Sequence, residues 1–181
     1  MGVTGLVFLI LFFALGGDNQ FGILNDISSG MFAILSGILA SVLYSSYREN
    51  LKITGLILLA GAWIGVLVVL LGSVLVIFHI TGWVLAGFYS VTGFAILGLW
   101  LIGLNFVALR SGLLPRRLAI YGIICGLIMQ LGYAAVPGIC ARIDSYDGLP
   151  AFLNVLWQVA GLGSFLFMFW CLGLYRSLVR R

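Results

Sequence analysis

The chain has 181 residues, 63% hydrophobic and only 8% charged, where soluble domains carry about 25% charged residues. That balance excludes an ordinary water-soluble fold, and a net charge of +4 from nine scattered basic residues excludes a nucleic-acid surface, which needs Lys and Arg clustered on one face. One histidine and three isolated cysteines exclude a bis-histidine haem, a Cys₄ cluster and a zinc site, so no cofactor and no metal are expected.

A lipid core about 30 Å thick takes about 20 apolar residues in a helix, and it tolerates only backbone whose polar groups are satisfied internally. Six apolar runs emerge on that criterion, the first of them the weakest. They predict a single all-α domain, an up-and-down bundle of six transmembrane helices at about residues 4–17, 27–47, 53–76, 83–109, 118–136 and 150–175. The first run is short and stops at Asp18. It is expected to be a retained helix rather than a cleaved signal peptide, because Met1 to Thr4 carry no positive charge.

The second helix is expected to open with Asp26 as an acceptor for free amides. It carries Ser29, Ala33, Gly37, Ser41 and Ser45, a row of small residues at spacing four. Such rows let backbones approach closely in lipid, where apolar side chains gain nothing by leaving the bilayer. The third helix adds Gly61 and Gly65 and ends before His79-Ile80-Thr81-Gly82; the fourth spreads Gly87, Gly93, Gly98 and Gly103 along its length. The fifth carries Gly122, Gly126 and Gln130, and the sixth Asn154, Gln158 and Ser164. Packing within the chain is the plain use of the small-residue faces. Association through one of them with a partner subunit or a second copy is the alternative.

Alternating the loops between two sides places Arg48, Lys52, Arg110, Arg116, Arg117, Arg176, Arg180 and Arg181 together, eight of the nine basic residues, with Arg142 opposite. Short loops rich in Lys and Arg stay cytoplasmic, so both termini are expected in the cytoplasm.

At a rise of about 1.5 Å per residue, Gln130 lies roughly 18 Å from the inner face and Gln158 roughly 10 Å from the outer face, nearly the same depth. Asn154 stands one turn from Gln158. With Asp26 and His79 near the same outer boundary, Asp26, His79, Gln130, Asn154 and Gln158 form the candidate ligand-binding set, a polar recess open to the outside. The plainer use of Gln130, Asn154 and Gln158 is hydrogen bonding between the last two helices. Ser164 after Gly163 invites comparison with an intramembrane serine protease, but His79 falls in the opposite membrane half and such a pair needs hydrogen-bond reach. The only lysine, Lys52, lies in an inner loop, which excludes a buried Schiff base.

Several stretches carry a resemblance: Phe21-Gly22-Ile23-Leu24-Asn25-Asp26-Ile27 leading into a helix that ends Leu43-Tyr44, Gly98-Leu99-Trp100-Leu101, and Arg110-Ser111-Gly112-Leu113-Leu114-Pro115-Arg116. With the opening Gly5-Leu6-Val7, the chain resembles over most of its length a bacterial domain-of-unknown-function family of small six-helix integral membrane proteins. The resemblance implies six helices in a bacterial plasma membrane and assigns no catalytic residue. The chain departs from that family in lacking basic residues before its first helix.

The sequence therefore points to a non-enzymatic integral membrane protein that packs with membrane lipid or partner subunits and binds a lipid-like or small apolar ligand. A small-solute transport component using the outer recess is the alternative, and an intramembrane enzyme comes third. A transporter is expected to break helices at matching positions in two halves, and no such repeat is visible.

Overall fold

The computed structural model describes residues 19–179; the expected first helix at residues 4–17, and Arg180 and Arg181, lie outside the described residues. The order is α1 (Asn19–Ser46), α2 (Arg48–Ile77), α3 (Trp83–Ser111), α4 (Arg116–Gln130), a 3₁₀ segment (Leu131–Ala135), α5 (Val136–Cys140), a 3₁₀ turn (Tyr146–Gly148) and α6 (Ala151–Val179). No strand occurs among the described residues. Five apolar stretches in them are long enough to cross a membrane, Ile23–Ser46, Ile53–Ile77, Trp83–Ser111, Arg116–Cys140 and Ala151–Val179, where six were expected for the whole chain. Large apolar side chains cover their outer faces: Ile53, Leu67 and Leu162 are 77%, 62% and 60% exposed. A surface of that kind belongs in lipid, and the protein is a multi-pass integral membrane protein.

The central helix is α3. It packs along both α2 and α4, while α1 lies on α2, and α6 returns against α4 and the 3₁₀ segment. Burial follows that order, with 61% of the most apolar window of α3 buried against 28 to 33% for the other spans. Facing glycines set two close crossings. A Cβ on Gly65 would stand 2.6 Å from the Gly93 carbonyl and one on Gly93 2.6 Å from the Gly65 carbonyl; Gly98 and Gly126 are related in the same way across α3 and α4, at 3.0 and 2.8 Å. The backbones touch where side chains are missing.

The expected small-residue faces are corrected in part. Ala33 and Gly37 are buried against α2, and Ser41 accepts the indole N–H of Trp63 at 3.1 Å. Ser45, however, is exposed, and the tight row runs through Gly30, Ala33, Ser36, Gly37 and Ala40 at helical spacing. Gly61 does not mark a close crossing: among the described residues no atom lies within 4 Å of a Cβ built there, whereas a Cβ on Gly103 would meet the Leu58 side chain. Gly122 does not pair with a facing glycine; it makes room for the side chains of Asn105 and Trp170.

Helix ends also differ from expectation, for local reasons. Arg48 and Glu49, outside the expected helices 27–47 and 53–76, open α2, since hydrogen bonds from Tyr47 N–H to Leu43 O and from Leu51 N–H to Tyr47 O, both 3.0 Å, carry the helix through the connection. The fourth span continues to Cys140 through a 3₁₀ segment. Pro137 has no N–H for the Tyr133 carbonyl, and Val136 N–H takes that carbonyl instead, which tightens the turn. After α2 the chain closes with Ile80 N–H on Leu75 O at 2.8 Å and His79 N–H on Val76 O at 3.0 Å, with His79 left-handed at φ 55°.

Candidate functional site

The helices α1, α3 and α6 begin at the same end of the bundle, because successive spans alternate in direction. Midway down, α1 meets the other two through aromatic rings: Phe32 lies 5.7 Å from Phe94 and 5.7 Å from Phe167. Above that floor the three helices stand apart and leave a cleft of about 530 Å³. This is a normal size for a small-molecule site.

Each helix contributes one face. From α1 come Asn25, Asp26 and Ser29; from α3, Trp83, Gly87, Ser90, Val91 and Phe94; from α6, Trp157, Gln158, Gly161 and Ser164. These positions recur at intervals of three and four, which is why separate sequence segments converge on one space. Phe94, Val91 and the two indoles give apolar walls. Asp26, Ser90, Gln158 and Ser164 stud them with hydrogen-bonding groups.

Two glycines keep the space open. A Cβ at Gly87 or at Gly161 would meet nothing within 4 Å among the described residues, whereas Gly93, Gly98, Gly122, Gly126 and Gly163 are each pressed against a neighbour. The glycines of the bundle thus divide into those that bring helices together and those that widen the cleft. Trp157 is held in place from two sides. Its ring meets Phe88 edge-on at 5.3 Å and its N–H donates to Asn154 Oδ1 at 3.0 Å.

The rim on α3 is fixed by a residue distant in sequence. The carboxylate of Asp144 accepts from the backbone N–H of Gly82 and, at 3.1 Å, from that of Leu85, capping the start of α3 from the loop before α6. Trp83 is seated between the two capped amides. The loop that separates α5 from α6 is thereby tied to the mouth of the cleft.

The structure brings together two of the five expected ligand-binding residues, Asp26 and Gln158. Asp26 is not at a helix start: α1 begins at Asn19, so the side chain projects from the second turn into the cleft. Gln130 is spoken for elsewhere, with Nε2 on Ala95 O at 2.9 Å and on Gly126 O at 3.2 Å, so it joins α4 to α3 rather than to α6. Asn154 faces Trp157 and donates to Leu149 O at 3.2 Å; it positions a wall of the cleft without lining it. His79 is an exposed turn residue at the end of α2 and lies outside the cleft lining. Depth arithmetic placed these groups at one level but carried no information about which way each faced.

Sequence reasoning missed Gly87, Ser90 and Gly161, and read Ser29 as packing. Ser29 does pack locally, donating to Asn25 O at 3.0 Å, while also lining the cleft. No sequence signal separates a glycine beside a void from one beside a backbone. Comparison with protein-family models, with curated proteins and with solved structures finds no match in any of the three, and the functional reading is built from the cleft itself.

Proposed function

We propose that this membrane protein is a non-enzymatic binder that holds a small lipid-like molecule in the cleft between α1, α3 and α6. The observation that carries the reading is the pair Gly87 and Gly161, two helix glycines that meet no packing partner among the described residues, both opening onto one space with an aromatic floor and a polar wall. A ligand fitting it has an apolar body for Phe94 and Val91, and a hydroxyl or amide head for Asp26, Gln158 and Ser164. Among the described residues the lining offers a single ionisable group, Asp26, and so hydrogen bonds rather than a proton-transfer pair. The clustering of Arg110, Arg116, Arg117 and Arg176 at the far end supports a plasma-membrane orientation with both termini cytoplasmic and the cleft facing outward.

A medium-chain monoacylglycerol tests the reading, since it presents two hydroxyls on one apolar chain. Native mass spectrometry of the full chain in neutral detergent should show one retained molecule. Gly161→Leu, whose side chain enters open space, should abolish retention without lowering the melting temperature. Gly61→Leu, at an open glycine away from the cleft, should leave it intact. Equal retention by all three proteins would sink the proposal.

Transport is the second reading, favoured by the 3₁₀ break at Leu131–Ala135, a point where the fourth span can bend beside α3. Saturable movement of the same probe across proteoliposomes, lost in Gly161→Leu, would select it over simple binding.

A further inference from the structure

At the opposite end of the bundle, α4 begins and α6 ends, and between them lies a second groove, of about 630 Å³, lined by Pro115, Arg117, Leu118, Tyr121, Gly173, Arg176 and Ser177. Its composition is graded. The two guanidinium groups sit at the ends of the spans Arg116–Cys140 and Ala151–Val179, and Leu118, Tyr121 and Gly173 lie one turn deeper. Gly173 lets Leu118 come close, its Cδ1 only 2.8 Å from where a Cβ would stand.

The hydrogen-bonding capacity of the groove is equally one-sided. Tyr121 already donates to Leu166 O at 3.1 Å and Ser177 to Leu174 O at 2.8 Å, and Pro115 has no N–H. Neither Arg117 nor Arg176 meets a carboxylate among the described residues, and both are exposed. The side-chain donors left over in the described lining are the two guanidinium groups, whose planar forks match a phosphate. An occupant must therefore bring anionic oxygens at the level of the arginines and apolar substance below them.

We propose that this groove binds an anionic glycerophospholipid of the surrounding leaflet, with its phosphate between Arg117 and Arg176 and an acyl chain running over Leu118 and Tyr121 along the α4–α6 seam. Both features point to a lipid rather than a soluble anion: the charges stand at the hydrocarbon boundary, and the floor beneath them is apolar. The site is separate from the outer cleft and does not depend on what the cleft binds.

The test uses the full chain in neutral detergent, titrated with equimolar phosphatidylglycerol and phosphatidylcholine and read by native mass spectrometry. Phosphatidylglycerol should be retained over phosphatidylcholine by about 30-fold, the equivalent of ~2 kcal/mol for two arginines. Arg117→Gln with Arg176→Gln should erase the preference while the melting temperature holds, since both side chains are exposed. Arg117→Lys with Arg176→Lys should keep most of it, and Gly161→Leu should keep all of it. Equal retention of the two lipids by the wild-type chain, a preference that survives the double glutamine variant, or full displacement of phosphatidylglycerol by millimolar inorganic phosphate would each overturn the proposal.

Discussion

Trp170 on α6 donates its indole N–H to Asn105 Oδ1 on α3 at 3.1 Å, and both side chains are fully buried. Asn105 closes its own account locally, with Nδ2 on Leu101 O at 2.8 Å. The pair exists because Gly122 on α4 has no side chain: a Cβ there would lie 2.3 Å from Asn105 Nδ2 and 2.6 Å from Trp170 Nε1. Three helices meet at one hydrogen bond, and Trp170 extends the contact into the aromatic cluster through Phe167, stacked at 5.7 Å, and Trp100, edge-on at 6.3 Å.

Removing that acceptor should be costly. Asn105→Ala leaves a buried indole N–H unpaired beside a void, and a loss of about 2 to 4 kcal/mol is expected. The bond itself is worth less: a double-mutant cycle with Trp170→Phe should return a coupling of about 0.6 to 1.7 kcal/mol, the range for interhelical hydrogen bonds in lipid. Unfolding in mixed detergent micelles measures both, and a coupling near zero would show that the two residues act independently.

The glycines should respond according to what each faces. At Gly93 a new Cβ lies 2.6 Å from the Gly65 carbonyl and 2.8 Å from the Val69 amide, both backbone atoms that cannot step aside. Gly93→Ala should therefore destabilise by about 1 to 3 kcal/mol. Gly61→Ala, into open space, should be neutral or stabilise by up to ~1 kcal/mol through helix propensity. Matching melting temperatures for the two variants would contradict the assigned crossing.

The cap on α3 should be measurable from the loop as well as from the helix. Asp144→Ala removes the acceptor for the Gly82 and Leu85 amides, and a loss of about 1 kcal/mol is expected. Since the same contact anchors the α5–α6 loop, limited proteolysis between Ala141 and Pro150 should become faster. An unchanged cleavage rate would argue that the loop is held by other means.

Among the described residues, two non-glycine residues occupy left-handed backbone at helix ends, His79 at φ 55° and Arg142 at φ 52°. Side chains resist that conformation by about 1 to 2 kcal/mol. Set against the greater freedom glycine has in the unfolded chain, His79→Gly should raise stability by about 0.5 to 1 kcal/mol. It should also leave cleft binding untouched, because His79 is not part of the lining; reduced monoacylglycerol retention in this variant would place the histidine nearer the cleft than the structure does.

The membrane solvent, the helical class and the approximate span positions were legible in the sequence, because lipid demands long apolar runs whatever they pack against. Orientation was readable as an expectation for a different reason: it follows from charge placement along the chain. Tertiary structure alone decided the rest. Gly61 and Gly65, or Gly87 and Gly93, look alike in one dimension, yet one of each pair meets open space and the other a backbone, since contact depends on how helices cross. Counting residues put Gln130 and Gln158 at one depth, but the packing of the helices made one a tie to α3 and the other part of the cleft lining. Asp144 caps a helix 59 residues away from it in the chain at Leu85, a pairing that only the folded connection between α5 and α6 could bring about.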